Sequence, residues 1–216
     1  MYRYFLKRLL DIIGALVLIV ILAPAYLIIT FIVMIFMGRP VLFSQMRIGK
    51  DEKPFRLYKF RSMTNATDEN GKLLDEQQRL TKAGIALRSS SLDELPELFA
   101  ILKGEMSFVG PRPLPTYYGP YFLEEERARH KVRGGLIPPD GLCGETTPKW
   151  ETQFEYDVYY AENVSLLLDI KVILATFKIL FHRVKNNYGA EDRPHLNEYR
   201  ANLPEEKEDK NELSAE

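Results

Sequence analysis

Residues 12 to 37 read "IIGALVLIVILAPAYLIITFIVMIFM", a run without a charged side chain. As a straight helix rising about 1.5 Å per residue, it would cross a hydrocarbon layer of about 30 Å. The reading of this run decides the fold, because a cleaved leader, a spanning helix and a hairpin leave the rest of the chain in different places. A secretory leader fits the basic start Arg3, Lys7 and Arg8, and Ala23-Pro24-Ala25 mimics a cleavage site. The apolar run continues past that triplet, however, and a mature chain beginning YLIITFIVMIF would be poorly soluble. A spanning helix and a re-entrant helix-break-helix are the other two readings. Pro24 falls near the middle, where it removes a backbone donor and kinks a helix. Both flanks are basic: Arg3, Lys7 and Arg8 before, Arg39, Arg47 and Lys50 after. The positive-inside rule then gives no direction of crossing and is best met if both ends stay cytoplasmic. These features favour re-entrance, although prolines also occur in true spanning helices.

Outward from that run, "VLFSQMR" (41–47) and "FRLYKFRS" (55–62) read as two strands of a hairpin, with Gly49 and Pro54 between them as turn residues. Residues 64–82 are mostly polar and read as loop with a short helix. A helix is expected from about Asp93 to Lys103, and "EEERARHKVR" reads as a charged, solvated helix. "WETQFEYDVYYAEN" reads as helical, with Trp150, Tyr156, Tyr159 and Tyr160 either core or interfacial and core the favoured reading. "SLLLDIKVILATFKILFHRVKN" is apolar almost all round but interrupted by Asp169, Lys171 and Lys178. That pattern suits a helix lying at a membrane interface or in a core. The charged tail is expected to be disordered. The expected fold class is α+β: a membrane re-entrant N-terminal helix over 1–38, then a small globular α/β domain over 39–188 with a β-hairpin and interfacial amphipathic helices. A charged tail, 189–216, completes the division.

The chain has 216 residues, enough for one domain with a real core. Its net charge of −1 argues against nucleic-acid binding, which usually leaves a basic excess. The one cysteine, Cys143, cannot form an internal disulfide and reads as a small buried residue. His130, His182 and His195 are scattered, so no zinc site is expected.

The candidate chemistry lies in "RSSSLDELPELF" (88–99), where Asp93 and Glu94 stand side by side at an expected helix start. A capping box from Ser91 to Glu94 accounts for part of this pattern. Cations accompany the acids in sequence: Arg56, Lys59 and Arg61 on the second strand, Arg88 just before the pair, and Arg112 between Pro111 and Pro113. Guanidinium groups match phosphate oxygens in bidentate geometry. If these cations converge on the acids, the site suits a phosphorylated substrate; the alternative is a scatter of surface charges. Carboxylates beside phosphates imply a hard divalent ion such as magnesium. One acid would then hold the metal and the other attack phosphorus, kept ionised by the neighbouring cations.

Four stretches carry a resemblance: "KRLLDIIGALVLIVILAP", "YKFRSM", "RSSSLDELPELFAILKGEMSFVGPRPL" and "YDVYYAENVSLLLDIKVILATFKIL". Across residues 1 to 181 the chain resembles the bacterial sugar transferases, the monotopic phosphoglycosyl transferases that begin surface-glycan assembly. The resemblance implies transfer of a phospho-sugar from a UDP-sugar to polyprenyl (undecaprenyl) phosphate with release of UMP. It implies Asp93 as nucleophile, a covalent aspartyl phospho-sugar intermediate, and Glu94 as the residue associated with Mg2+. Arg112 is implied as a phosphate contact, Lys59 and Arg88 as polar positions of the site, and Asp169 as the acid of the C-terminal motif. Pro24 matches the break of a re-entrant helix, which places the protein in the bacterial inner membrane with its catalytic domain on the cytoplasmic face. Implied partners are the UDP-sugar, polyprenyl phosphate and the lipid bilayer, with later glycosyltransferases and a second copy of the chain as further candidates. The alternatives are direct transfer without a covalent intermediate and a non-catalytic scaffold for glycan assembly. One segment departs from the family pattern, "RGGLIPPDGLCGETTPKW" (133–150): if Gly144 matches the family's last glycine there, Glu145 stands where an arginine is common. That departure bears on which sugar is held more than on the reaction.

Overall fold

The computed structural model describes residues 2–145, 147–185 and 193–202. Of the stretch expected to be disordered, residues 189–192 and 203–216 lie outside them.

A π-helical turn, Tyr2–Leu6, leads into α1 (Lys7–Ile21), followed by α2 (Ala23–Phe36). The two helices are bent by 62° at a break of one residue, Leu22. Pro24 stands in the first turn of α2, where its missing N–H leaves no helical hydrogen bond unmade. The proline thus begins the second helix. No single helix here is long and apolar enough to cross a membrane; the bent pair together has the length and composition.

One side of α1 is fixed to the globular part. Arg8 donates to the carbonyls of Ile101 (2.6 Å) and Leu102 (2.8 Å). Asp11 accepts from the Ser107 hydroxyl and the Phe108 amide at 3.1 and 3.0 Å. Ala15 is fully buried with Leu57, Leu98, Ile101 and Met106. The other side of α1 exposes Ile13, Val17 and Val20, and α2 exposes Leu27, Phe31 and Ile35.

The hairpin forms as expected. Strands β1 (Leu42–Ile48) and β2 (Pro54–Phe60) pair antiparallel, with Leu42 opposite Phe60 and Ile48 opposite Pro54. Alternation along β2 buries Phe55 and Leu57, and Lys59 follows on the same face. A lysine on a core-facing row needs an ionic partner, because an unpaired buried charge is very costly.

The segment after the hairpin holds α3 (Glu76–Arg79) and α4 (Lys82–Ser89), then a 3-10 turn Leu92–Glu94 and α5 (Glu97–Lys103). Gly84 lets α4 sit flush against the end of β2: a Cβ there would meet the Ser62 carbonyl oxygen at 1.8 Å. Strands β3 (Met106–Val109) and β4 (Gly134–Ile137) pair in parallel as a second two-stranded sheet. Helices α6 (Trp150–Glu162) and α7 (Leu166–Lys185) follow, then α8 (Leu196–Ala201). On α7, Leu167, Ile170, Leu174 and Phe177 are exposed and recur at helical spacing along one face.

Three expectations are corrected. The charged stretch after Leu123 is a 3-10 turn, Glu125–Lys131, that buries Glu126, Arg129 and His130, so it is no solvated helix. Arg129 pairs with Asp157 and Glu126 with Arg200, partners that composition alone does not disclose. Within the stretch expected to be a disordered tail, residues 193–202 dock on α6, because Leu196 is fully buried with Tyr118, Trp150 and Phe154. Of the aromatic residues taken as core, Trp150 and Tyr160 are buried and Tyr156 is partly so, but Tyr159 is exposed. Cys143 is half-buried.

Candidate active site

A cleft of about 720 Å³ opens between the hairpin, the segment 61–94 and the loop after β3. Asp93, Glu94, Lys59, Arg88 and Arg112 all line it. Five of the sequence-derived site residues thus converge.

Lys59 and Arg112 both grip Glu94. The Lys59 ammonium donates to Glu94 Oε1 at 2.6 Å, and Arg112 Nη2 donates to the same oxygen at 2.9 Å. Lys59 also lies 3.2 Å from Glu97 Oε1, which answers the question its core-facing position raised. Burial alone would raise the Glu94 carboxyl, but Arg112 and Lys59 overcome it and hold it down at about 2. Glu97, more weakly paired, goes the other way: burial pushes it up to about 7 against the pull of Lys59.

Asp93 is buried and makes no ion pair within 4 Å among the described residues. Burial first, and the Glu94 charge second, raise its carboxyl, against the pull of Lys59 and Arg88. The cations pull toward the ionised form, as expected, and in the free protein burial works against them. The capping box is corrected. Ser91 adopts a left-handed conformation (φ 55°) and its side chain caps nothing. Glu94 points instead into the cation pair.

Arg88 is oriented from below. Its Nε donates to Ser62 Oγ at 2.9 Å, in the contact that Gly84 permits. Arg112 is oriented through its backbone. Its carbonyl accepts from Arg129 Nη2 at 2.8 Å, while Arg129 Nε and Nη2 reach Asp157 Oδ2 at 3.1 and 2.7 Å. Arg129 is clasped between the rings of Phe122 and Phe154, 5.4 and 5.3 Å from their centroids. The Arg112 guanidinium remains two-fifths exposed, toward the cleft. Three cations, two acids and an open concavity can bind a diphosphate and present a carboxylate to it.

Among the described residues, no group of three or more His, Cys, Asp or Glu forms a metal cage. Magnesium does not require one, since it commonly takes one or two carboxylates and completes its shell with water and phosphate oxygens. Both cations sit on Oε1 of Glu94, so Oε2 is the oxygen left for a further ligand. This donor set fits a hard divalent cation.

A sequence profile described as bacterial sugar transferase matches residues 2–183. The chain belongs to the bacterial sugar transferase family. It is 42% identical over 173 residues to a Bacillus subtilis protein named uncharacterized sugar transferase EpsL, covering 80% of this chain and 86% of that one. It is 39% identical to the UDP-glucose:undecaprenyl-phosphate glucose-1-phosphate transferase of Klebsiella pneumoniae, covering 79% of this chain and 39% of that protein. To the UDP-N-acetylgalactosamine-undecaprenyl-phosphate N-acetylgalactosaminephosphotransferase of Aeromonas hydrophila it is 34% identical, covering 82% and 44%. The chain thus spans about two fifths of the length of the latter two relatives.

In this sugar transferase two of the sequence-derived residues stay outside the cleft. Asp169 is buried elsewhere: its carboxylate accepts from Lys7 at 2.7 Å, from Tyr160 at 2.5 Å and from Tyr2. It ties α7 to the N-terminus and does not line the cleft. Pro24 sits at the helix break. Glu145 is exposed and does not line the cleft. Of the strand cations, Arg61 is spent on the Pro40 carbonyl and Asn65, and Arg56 reaches Ser44 at the surface. Sequence reasoning missed Arg47, Glu97, Arg129 and the cleft wall of Tyr117, Trp150 and His195. The core-facing register of Lys59 could have pointed to Glu97, three residues beyond Glu94 and one helical turn on.

Proposed function

We propose that the protein transfers a phospho-sugar from a UDP-sugar to polyprenyl phosphate, releasing UMP, with Asp93 as nucleophile. The observation that carries this reading is a buried Asp93 carboxylate without an ion-pair partner of its own, in a cleft whose cations Lys59, Arg88 and Arg112 are fixed by other groups. An oxygen of Asp93 attacks the phosphorus that bears the sugar. The bond from that phosphorus to the bridging oxygen breaks, and the electron pair leaves with UMP. An oxygen of polyprenyl phosphate then attacks the same phosphorus, and the acyl phosphate bond to Asp93 breaks. The carboxylate is regenerated and a polyprenyl diphosphate sugar results.

Glu94 is proposed as the residue that holds Mg2+, which when bound draws charge from the diphosphate and eases departure of UMP. Arg112 and Arg88 orient phosphate oxygens. Lys59 holds Glu94 and Glu97 in place and offsets their charge. Binding of an anionic donor beside these cations excludes water from Asp93.

The acceptor is a lipid, and the surface supports a membrane location. The bent pair α1–α2 exposes apolar side chains, and α7 exposes a further apolar row. We place the pair as a re-entrant anchor in the bacterial inner membrane, with α7 at the interface and the cleft on the cytoplasmic face. Rapid quench with UDP-sugar alone, followed by intact mass measurement, tests the covalent step. A phospho-sugar adduct on the wild type that is absent from Asp93→Asn is expected. Full turnover without any adduct would overturn it.

A further inference from the structure

The family profile ends at residue 183, yet residues 193–195 form part of the cleft wall. The segment is firmly held. Leu196 is fully buried, Trp150 Nε1 donates to the Pro194 carbonyl at 3.0 Å, and Arg193 donates to the Pro148 carbonyl and to Gln153 Oε1 at 2.6 and 2.7 Å.

The wall beside it is aromatic. Trp150 cannot offer a free face: the Arg193 guanidinium lies 3.5 Å from its ring centroid, and Phe154 stacks with it at 5.6 Å and 25°. Tyr118 is buried and acts as a brace. Its ring meets Tyr117 edge-on at 4.6 Å, and its hydroxyl is 2.8 Å from His195 Nδ1. Tyr117 and His195 are thereby fixed and remain exposed, both lining the cleft. The lining near Arg88 is different in kind: Thr64, Asn65, Glu76 and Arg79 present polar groups that suit hydroxyls.

A UDP-sugar has a flat base at one end and a hydroxyl-rich ring at the other. Planar bases stack on aromatic side chains whatever their sequence context. We infer that Tyr117 and His195 form the nucleoside-binding wall of the donor cleft, so that a segment outside the family-matched span contributes to donor binding. The inference rests on the UDP-sugar reading of the site and assigns its two ends: base to the aromatic wall, sugar to the polar lining.

Trp150 is the single tryptophan of the chain and lines the same cleft, so its emission reports on the wall. The full chain in detergent is titrated with UMP and, separately, with a hexose 1-phosphate. Equilibrium dialysis with labelled UMP serves as a second readout. Tyr117→Ala and His195→Ala are each expected to weaken UMP about tenfold, the scale of one lost base–aromatic stack, and to leave the hexose 1-phosphate unchanged. His195→Phe keeps a ring at the wall and is expected to retain most of the affinity, which separates stacking from loss of the docked segment. Wild-type UMP affinity in both alanine variants overturns the inference. So does weakening confined to the hexose 1-phosphate, or a wild type that binds no UMP by either readout. Failure of the wild type to release UMP from UDP-sugar, with UMP binding intact and sensitive to both variants, counts against the transfer reaction and leaves the wall standing.

Discussion

Asp93 and Glu94 are adjacent and chemically similar, and their surroundings give them different work. Glu94 is held ionised by two direct cationic donors, whereas Asp93 has only the longer-range pull of Lys59 and Arg88 against its burial. Asp93→Asn is therefore expected to lower UMP release by at least about a thousandfold with an unchanged melting temperature, as for removal of other nucleophiles. His130 offers a test of stability against pH. Both its ring nitrogens are buried without hydrogen-bond partners, and burial, then the Arg129 charge, bring it down to about 4. The unfolded chain, with an imidazole near its ordinary value of about 6.5, binds the proton more readily. The stabilising contribution of neutral His130 is thus complete above about pH 6.5 and shrinks as pH falls toward 4, by up to about 3 kcal/mol. Denaturant titrations at several pH values check this: His130→Gln flattens the slope over that range.

At the level of elements, the turn Glu125–Lys131 and α6 are joined by the buried Arg129–Asp157 pair. Arg129→Ala leaves a buried carboxylate uncompensated and is expected to destabilise the fold by about 3–5 kcal/mol, measured by chemical denaturation. The same change removes the donor to the Arg112 carbonyl, so donor KM should rise in whatever fraction remains folded. Asp169 makes the opposite case. Asp169→Asn loosens the tie between α7 and the N-terminus, so a lower melting temperature with unaltered UMP affinity is expected. Equal loss of UMP affinity would restore Asp169 to the site. The hairpin, α6, α7 and the acid pair were legible because strand alternation, helical periodicity and the long 88–114 motif are local signals. The burial of Arg129, the role of Asp169 and the docking of Leu196 were not. Each is decided by a partner far along the chain, at Asp157, at Tyr2 and Lys7, and at Trp150.

The molecule as a whole presents the exposed apolar faces of α1, α2 and α7 beside a polar cleft. The apolar run and its proline were readable from the sequence. The 62° bend at Leu22 needed the structure, because a proline in the first turn of a helix is compatible with many angles. If the bent pair enters and leaves on one face, Arg3→Cys and Arg39→Cys, each in a Cys143→Ser background, react with a membrane-impermeant thiol reagent from the same side of sealed vesicles. Labelling from opposite sides would show a true crossing. The way α1 is attached has a mechanical consequence. Arg8, Asp11 and Lys7 join it directly to α5, β3 and α7. Such a body cannot swing freely on the helix pair. With the pair placed in the bilayer as proposed, it would work at one fixed height above the lipid, and a lipid acceptor would have to arrive by lateral diffusion at that level.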